Sequence, residues 1–492
     1  MARQNAGAAG GATTTSGIRI VRTLDGAAAG VLDSPEDVSR SEALRLSQKQ
    51  KKIERASREQ LHGDRFLWGI YLMLLCYSIV ELYSASSSEI KGGHVFAPII
   101  QHGIYLAMGF VLILVMSNIH YKIYRKTAVL FAILSVGLMI YTMVGGVIIN
   151  GAQRAIRLGS FTIQPAEIAK LALVVVLAYV IAKHQMYKGV TNTGLFIALA
   201  VTALFSALLF KNGLTNTLLI VGTAFSMLII GGLQMRKLLL VVVVLVGVGL
   251  PIFGKKYGLF GSEKEGTAIE MMNNALNQNE VDRTGTQINR IKYYKEGVKP
   301  TDKIDDANRQ VMYSNFALAH GGVFGNGPGN SRENARLPLA FSDYIYSIII
   351  EDTGIIGGIF LLIMYLSLIG AAGRIAVKCK KAFPALLIMG CAVMIVMQAL
   401  VHMSIVVGIV PVSGQPLPFI SKGGTSVLVM SAAMGMMLSV SKFAPRANKN
   451  RKEEALRNAV ADNSMESDNP LMIQTKAQSK AKTTIENDPL TY

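Results

Sequence analysis

Three stretches place ionisable or hydrogen-bonding residues where long apolar blocks begin or end. The first is GAQRAIRLGSFTIQPAEIAK (151–170), with Arg154, Arg157, Gln164, Pro165, Glu167 and Lys170. Two guanidinium groups and an ammonium near one another suit a phosphate, which arginine grips through paired N–H donors. Pro165 fits a first helical turn, and Glu167 fits the positive end of the helix dipole. Glu167 and Lys170 are three apart and share a helix face. An ion pair at the membrane edge is therefore as open as an outward-facing anion site. The second stretch is LPLAFSDYIYSIIIEDTGIIGG (337–358). Asp343 heads its apolar run, and Glu351 and Asp352 follow inside it. A carboxylate at a wet, partly apolar edge can serve as a general base; capping a helix is the plainer alternative. Carboxylates facing lipid would cost several kcal/mol, so all three are expected to face a cavity. The third stretch is PVSGQPLPFISKGGTS (411–426), with Gln415, Ser421, Lys422 and Ser426 among prolines and glycines. Irregular backbone at membrane depth is tolerated only when protein surrounds it or when it lines a water cavity. Finally, HGGVFGNGPGNS (320–331) holds Gly325, Gly327 and Gly329, which would let a loop pack closely near such a site.

These residues need elements to hold them, and the apolar blocks supply them. Ten are expected, at about 66–86, 97–118, 127–149, 164–183, 193–211, 215–233, 236–254, 344–371, 383–411 and 423–441. Each approaches the ~20 residues that cross ~30 Å of hydrocarbon. The expected fold is all-α: a polytopic integral membrane protein of about ten transmembrane helices with one large extracytoplasmic loop, about 255–343. Residues 1–61 and 446–492 read as disordered cytoplasmic tails flanking the membrane domain, 62–445.

Composition agrees. The chain has 492 residues, 51% of them hydrophobic, and only 16% are charged. Soluble domains are about 25% charged. An ordinary cytosolic enzyme, a disulfide-stapled secreted domain and a disordered chain are excluded. The net charge of +18 is read as topological rather than as a nucleic-acid footprint, because no RNP, zinc-finger or helix-turn-helix pattern accompanies it. With the N-terminus inside, the short inner loops hold Lys122, Arg125, Lys126, Lys183, Lys188, Arg236, Lys237, Arg374, Lys378, Lys380 and Lys381. The short outer ones hold Lys91, Arg154, Arg157, Lys211 and Lys422. This bias puts both termini in the cytoplasm. All three polar stretches then converge on the outer side. Cys76, Cys379 and Cys391 have no CxxC spacing, so neither zinc nor a disulfide framework is supported. There is no GxxxxGK[ST], HExxH or GxSxG.

Taken together and in this order, GAQRAIRLG with QPAEIAK, GGVFGNGPGNS with LPLAFSDYIYSIIIEDTG, and PVSGQPLPFISKGGTS resemble the SEDS (shape, elongation, division and sporulation) family. These are FtsW/RodA-type integral membrane proteins of bacterial wall synthesis, and the resemblance spans about 66–445. The division-type branch is the nearer one, on GQPLPFISKGGTS and the long polar tails. The resemblance implies a peptidoglycan glycosyltransferase that joins lipid II into β-1,4 glycan strands on the outer face of the bacterial inner membrane, at the septum. A rod-elongation polymerase and a lipid II flippase are the alternatives. It implies that the family's essential acid falls on Asp343 and its motif arginine on Arg154. Its Gln-Pro-x-Glu-x-x-Lys element falls on Gln164, Pro165, Glu167 and Lys170. Arg157, Gln415, Ser421 and Lys422 complete the expected substrate-binding set. No cofactor is fixed; a divalent cation, Mg or Mn, would assist the departing pyrophosphate. The implied partners are lipid II (an undecaprenyl-pyrophosphate-linked disaccharide peptide), a class B penicillin-binding protein transpeptidase, other divisome proteins and membrane lipid. Three departures stand out. Ala155 replaces the usual Trp, KNGLTNTLL (211–219) lacks the usual acid, and Ala340, Phe341 and Ser342 occupy positions where Glu and His are frequent.

Overall fold

The computed structural model describes residues 63–86, 97–149, 152–158, 161–186, 189–210, 213–234, 236–239, 241, 243, 294, 303–304, 308–337 and 340–444. The expectations for both tails, for most of the 236–254 block and for most of the 255–343 loop lie outside the described residues. All described residues belong to one compact unit, Gly63–Tyr492.

Three helices come first: α1 (Arg65–Ser86), α2 (Ala97–Asn118) and α3 (Tyr121–Gly145). An antiparallel sheet follows, β1 (Val147–Ile149), β2 (Ala152–Leu158) and β3 (Phe161–Ile163), in the order β1-β2-β3. Then come α4 (Pro165–Lys183), the strand pair β4 (Gln185–Met186) and β5 (Gly189–Val190), α5 (Asn192–Phe210) and α6 (Leu214–Ile230). After the long loop stand α7 (Arg309–Gly321), α8 (Ile345–Lys378), α9 (Ala382–Val406) and α10 (Gly424–Ala444).

The protein is a polytopic helical membrane protein. Among the described residues seven helices are long and apolar enough to cross a bilayer, namely α2 to α5 and α8 to α10. They fall into two layers. The apolar stretches of α4, α9 and α10 are 83%, 72% and 83% buried within the protein, whereas that of α3 is 28% buried. The first three are the most buried, whereas α1, α2, α3 and α8 carry many exposed Ile, Leu and Val side chains. Without a hydrophobic drive between helices in lipid, close approach through small residues holds such a bundle together. A Cβ on Gly109 of α2 would stand 2.6 Å from Ser431 Oγ of α10, and one on Gly435 of α10 would stand 2.6 Å from Met116 Cβ.

The third block begins earlier than expected and ends earlier. The His120 side chain accepts from Lys122 N and starts α3 at Tyr121. Val147–Ile149, taken for helix in the apolar reading, instead pairs with β2. The sheet was not anticipated. AQRAIRL (152–158) has no strict apolar–polar alternation to announce a strand.

α8 is 34 residues long, which at ~1.5 Å per residue is far more than the ~30 Å hydrocarbon core. It is interrupted at Gly354 (φ 72°, ψ −177°). The stretch after α7 repairs the interruption. Asn326 N donates to the Glu351 carbonyl (3.0 Å) and Gly327 N to the Asp352 carbonyl (2.8 Å). In return Ile355 N donates to the Gly322 carbonyl (3.0 Å) and Ile356 N to the Val323 carbonyl (3.4 Å). A broken helix at membrane depth needs such partners for its freed backbone groups. Two glycines permit the approach: a Cβ on Gly325 would lie 2.2 Å from the Asp352 carbonyl oxygen, and one on Gly354 would lie 2.2 Å from the Val323 carbonyl oxygen.

Candidate functional site

A cavity of about 300 Å³ opens where β3 enters α4, where α8 begins and where the segment between α9 and α10 folds back. Gln164, Glu167, Asp343, Gln415 and Lys422 line it, together with Thr162, Asn216, Phe341, Ser342, Gly414, Pro416 and Thr425. Residues more than 250 positions apart therefore line one cavity.

Each side of the cavity has a local cause. Pro165 fixes the first turn of α4, and Glu167 lies in that turn, where the helix dipole favours a carboxylate. Thr425 Oγ1 ties this corner to α10. It donates to the Thr162 carbonyl (2.7 Å) and accepts from Gln164 N (3.2 Å). Opposite, residues 341–343 are zipped to 421–422. Lys422 N donates to the Phe341 carbonyl (3.0 Å) and Ser421 Oγ to the Ser342 carbonyl (2.7 Å). The Lys422 ammonium stands 4.8 Å from the centre of the Phe341 ring, within cation–π range. Asp343 Oδ1 accepts from Ser342 Oγ (2.9 Å). Asp343 does not cap α8: the cap position is Tyr344, without a side-chain cap bond. Glu167 Oε2, Gln415 Oε1 and Asn216 Oδ1 are buried and have no hydrogen-bond partner among the described residues. Buried polar atoms are normally satisfied, so these three acceptors suit a polar ligand with hydroxyl or amide donors.

Several sequence expectations are redrawn. Lys170 does not line the cavity. Its Nζ lies 2.7 Å from Glu167 Oε1 and 2.6 Å from Gln398 Oε1, with both members of the pair 3% exposed. Its charge is taken up by Glu167. Arg157 is exposed on β2 and Arg154 belongs to the same strand. Ser421 is buried and holds backbone: besides Ser342, it accepts from Leu417 N (2.7 Å).

The three carboxylates do not share one cavity either. Asp343 precedes the first turn of α8, whereas Glu351 and Asp352 stand just before the break at Gly354. Glu351 Oε1 accepts from Arg332 N (2.8 Å) and Glu333 N (3.3 Å), and Asp352 accepts from Ser84 and Ser331. Their neighbour is the 322–334 stretch, which is also where Gly325, Gly327 and Gly329 pack. Gly325 and Gly327 pack against the α8 break, Gly329 N donates to Ser84 Oγ (2.9 Å), and none of the three is among the residues that line the cavity. Asn216, Thr425 and Gln398 were not singled out from sequence. Gln398 left a signal, an amide inside an apolar block where polar groups are costly. Among the described residues no group of three or more His, Cys, Asp or Glu is placed to hold a metal ion.

Residues 64–446 match the family profile of FtsW, RodA and SpoVE, described as "Cell cycle protein". A protein of Geobacter metallireducens named "Probable peptidoglycan glycosyltransferase FtsW" is 31% identical over 376 residues, which cover 75% of this chain and 92% of that one. Its counterpart of the same name in Geobacter sp. (strain M18) is 29% identical over 387 residues, covering 77% and 96%. Among solved structures, one described as "Structural coordination of polymerization and crosslinking by a peptidoglycan synthase complex" superposes with a TM-score of 0.61 at 20% identity. It covers 78% of this chain and 99% of that one.

Proposed function

Since the chain belongs to the FtsW/RodA/SpoVE family, we propose that it is a peptidoglycan glycosyltransferase. It polymerises lipid II into β-1,4 glycan strands, with Asp343 as general base. The observation that carries this reading is the cavity lined by Asp343 and Lys422, held together by the 341–343 to 421–422 hydrogen bonds, and also by Glu167, Gln164 and Gln415.

The reaction joins a sugar hydroxyl to an anomeric carbon that carries a lipid pyrophosphate. Asp343 takes the hydroxyl proton as the new C–O bond forms. The anomeric C–O bond breaks and the lipid pyrophosphate leaves with the electron pair. Direct displacement inverts the α-linked donor to the β-linked product. Lys422 at the cavity wall and Arg157 on β2 supply positive charge for the departing pyrophosphate. The orphaned acceptors Gln415 Oε1 and Asn216 Oδ1 receive sugar or peptide N–H and O–H groups. A divalent cation brought with the pyrophosphate would add charge neutralisation; Asp343 and Glu167 are the carboxylates that line the cavity and would be available to it.

The names of the FtsW relatives support septal synthesis at cell division as its setting. The excess of Lys and Arg in alternate loops supports ten spans with both termini in the cytoplasm. The likeness to a synthase complex that couples polymerisation to crosslinking supports a class B penicillin-binding protein as partner. Purified protein with that partner and lipid II is expected to yield glycan polymer, and Asp343→Ala to yield none. Full polymerisation by a folded Asp343→Ala variant would sink the base assignment.

A further inference from the structure

α9 carries Gln398 and His402, four residues apart and so on one face. Both are buried and neither lines the cavity. Gln398 Nε2 donates to the Pro416 carbonyl (3.1 Å) and reaches Ser426 Oγ (3.4 Å), while its Oε1 accepts from Lys170 Nζ (2.6 Å). His402 Nδ1 lies 2.6 Å from the Gln415 carbonyl. A carbonyl oxygen can only accept, so Nδ1 carries the proton. One helix face thus holds two successive carbonyls of the cavity wall.

That wall has no regular structure of its own. Residues 411–417 are neither helix nor strand, so side chains must set its course. Its far end is anchored by Tyr365, whose hydroxyl donates to the Pro418 carbonyl, and by Phe419, packed edge-on to Tyr71. Phe419 is held at φ 66°, a conformation that persists in a non-glycine residue only when its surroundings over-determine it. At the near end, Gly414 lies against the Asp343 carboxylate. Between these ends stand Gln415 and Pro416, fixed from α9. An amide is suited to the central place because it has a donor and an acceptor end. Gln398 uses the donor on the wall and the acceptor on the Lys170–Glu167 pair, and so links the two sides of the cavity.

We infer that Gln398, with His402 beside it, is a positioning residue for the glycosyl transfer. It sets the wall formed by Gly414, Gln415 and Pro416 against Asp343 and keeps Glu167 in register with that wall. The inference rests on the function proposed above, because positioning has meaning only for a reaction at this cavity.

The test uses the full chain and reads two quantities: hydrogen exchange in peptides covering 410–420, and kcat and KM for lipid II polymerisation. Gln398→Leu removes both anchors. Exchange in 410–420 is expected to rise at least about tenfold, and kcat to fall at least about tenfold with KM within about twofold, because small misplacement of reacting groups costs rate. Gln398→Glu keeps an acceptor for Lys170, loses the donor to Pro416 and Ser426, and sets a second carboxylate beside Glu167. It guards against a folding defect in the leucine variant, and the same direction is expected. His402→Gln retains a donor and should keep most of the rate, whereas His402→Leu should not. A merely structural role would lower the melting temperature without this split or this rescue. Wild-type exchange, or wild-type kcat, in folded Gln398→Leu or Gln398→Glu overturns the inference. Raised exchange in the variants with no polymer from the wild-type protein would leave the anchor standing and overturn the proposed reaction instead.

Discussion

Gly414 lies directly against Asp343: a Cβ at position 414 would stand 2.7 Å from Asp343 Oδ2. Its φ is outside the left-handed region, so alanine there would face only a steric conflict. Gly414→Ala is expected to push the carboxylate aside, with kcat for lipid II polymerisation falling between about tenfold and a hundredfold. An unchanged melting temperature would separate this from loss of fold.

Asp343→Asn keeps the shape of the wall and removes the base. General-base contributions run to about 10²–10⁴ in rate. A loss in that range with lipid II binding retained is the expected outcome of single-turnover measurements. A rate within threefold of wild type would remove Asp343 from the chemistry.

Lys170 and Glu167 form a pair almost sealed from solvent. Breaking such a pair by removing one partner costs about 3–5 kcal/mol. Lys170→Met should lower thermal stability by that order. Adding Glu167→Gln should recover part of the loss, since the uncompensated charge is then gone. Simple additivity in the double variant would show that the two groups do not interact.

Gly354, at φ 72° and ψ −177°, occupies a positive-φ region that is essentially glycine's own, where other residues cost on the order of 1–3 kcal/mol, and a Cβ there would meet the Val323 carbonyl. Gly354→Ala is expected to lower the melting temperature and the yield from membranes by more than Gly370→Ala, because a Cβ at Gly370 meets nothing within 4 Å.

Cys379 follows α8 as its C-cap, and burial pushes its thiol from 9.0 to about 11. The raised value means less thiolate at any pH below it. In a Cys76→Ser, Cys391→Ala background, maleimide labelling at pH 7.5 should run about a hundredfold slower than for an ordinary thiol. It should accelerate roughly tenfold per pH unit towards about 11. Labelling at the ordinary rate would show that the thiol is open to water.

The helical architecture was legible because an apolar block of bilayer length has few alternatives in lipid. Convergence of the three polar stretches was legible for a related reason: charges in such blocks must meet one another or a cavity. What escaped was the choice between two readings left open. Spacing allowed the Glu167–Lys170 pair, but only the fold shows that this pair with Gln398 takes up Lys170, while Lys422 reaches the cavity. Likewise Glu351 and Asp352 lie close to Asp343 along the chain. The break at Gly354 gives their backbone and side chains to a loop rather than to the cavity, and no helical spacing announces that. The 147–163 sheet was hidden because strands of three and seven residues carry little periodicity.

The order of synthesis gives that break a further meaning. Gly322 to Gly327 leave the ribosome before Glu351 to Ile356. The groups that complete the interrupted helix therefore already exist when α8 enters the bilayer. No later segment has to arrive to rescue it from lipid. Shortening or replacing the stretch after α7 would accordingly be felt first as faulty insertion of α8, before any question of catalysis arises.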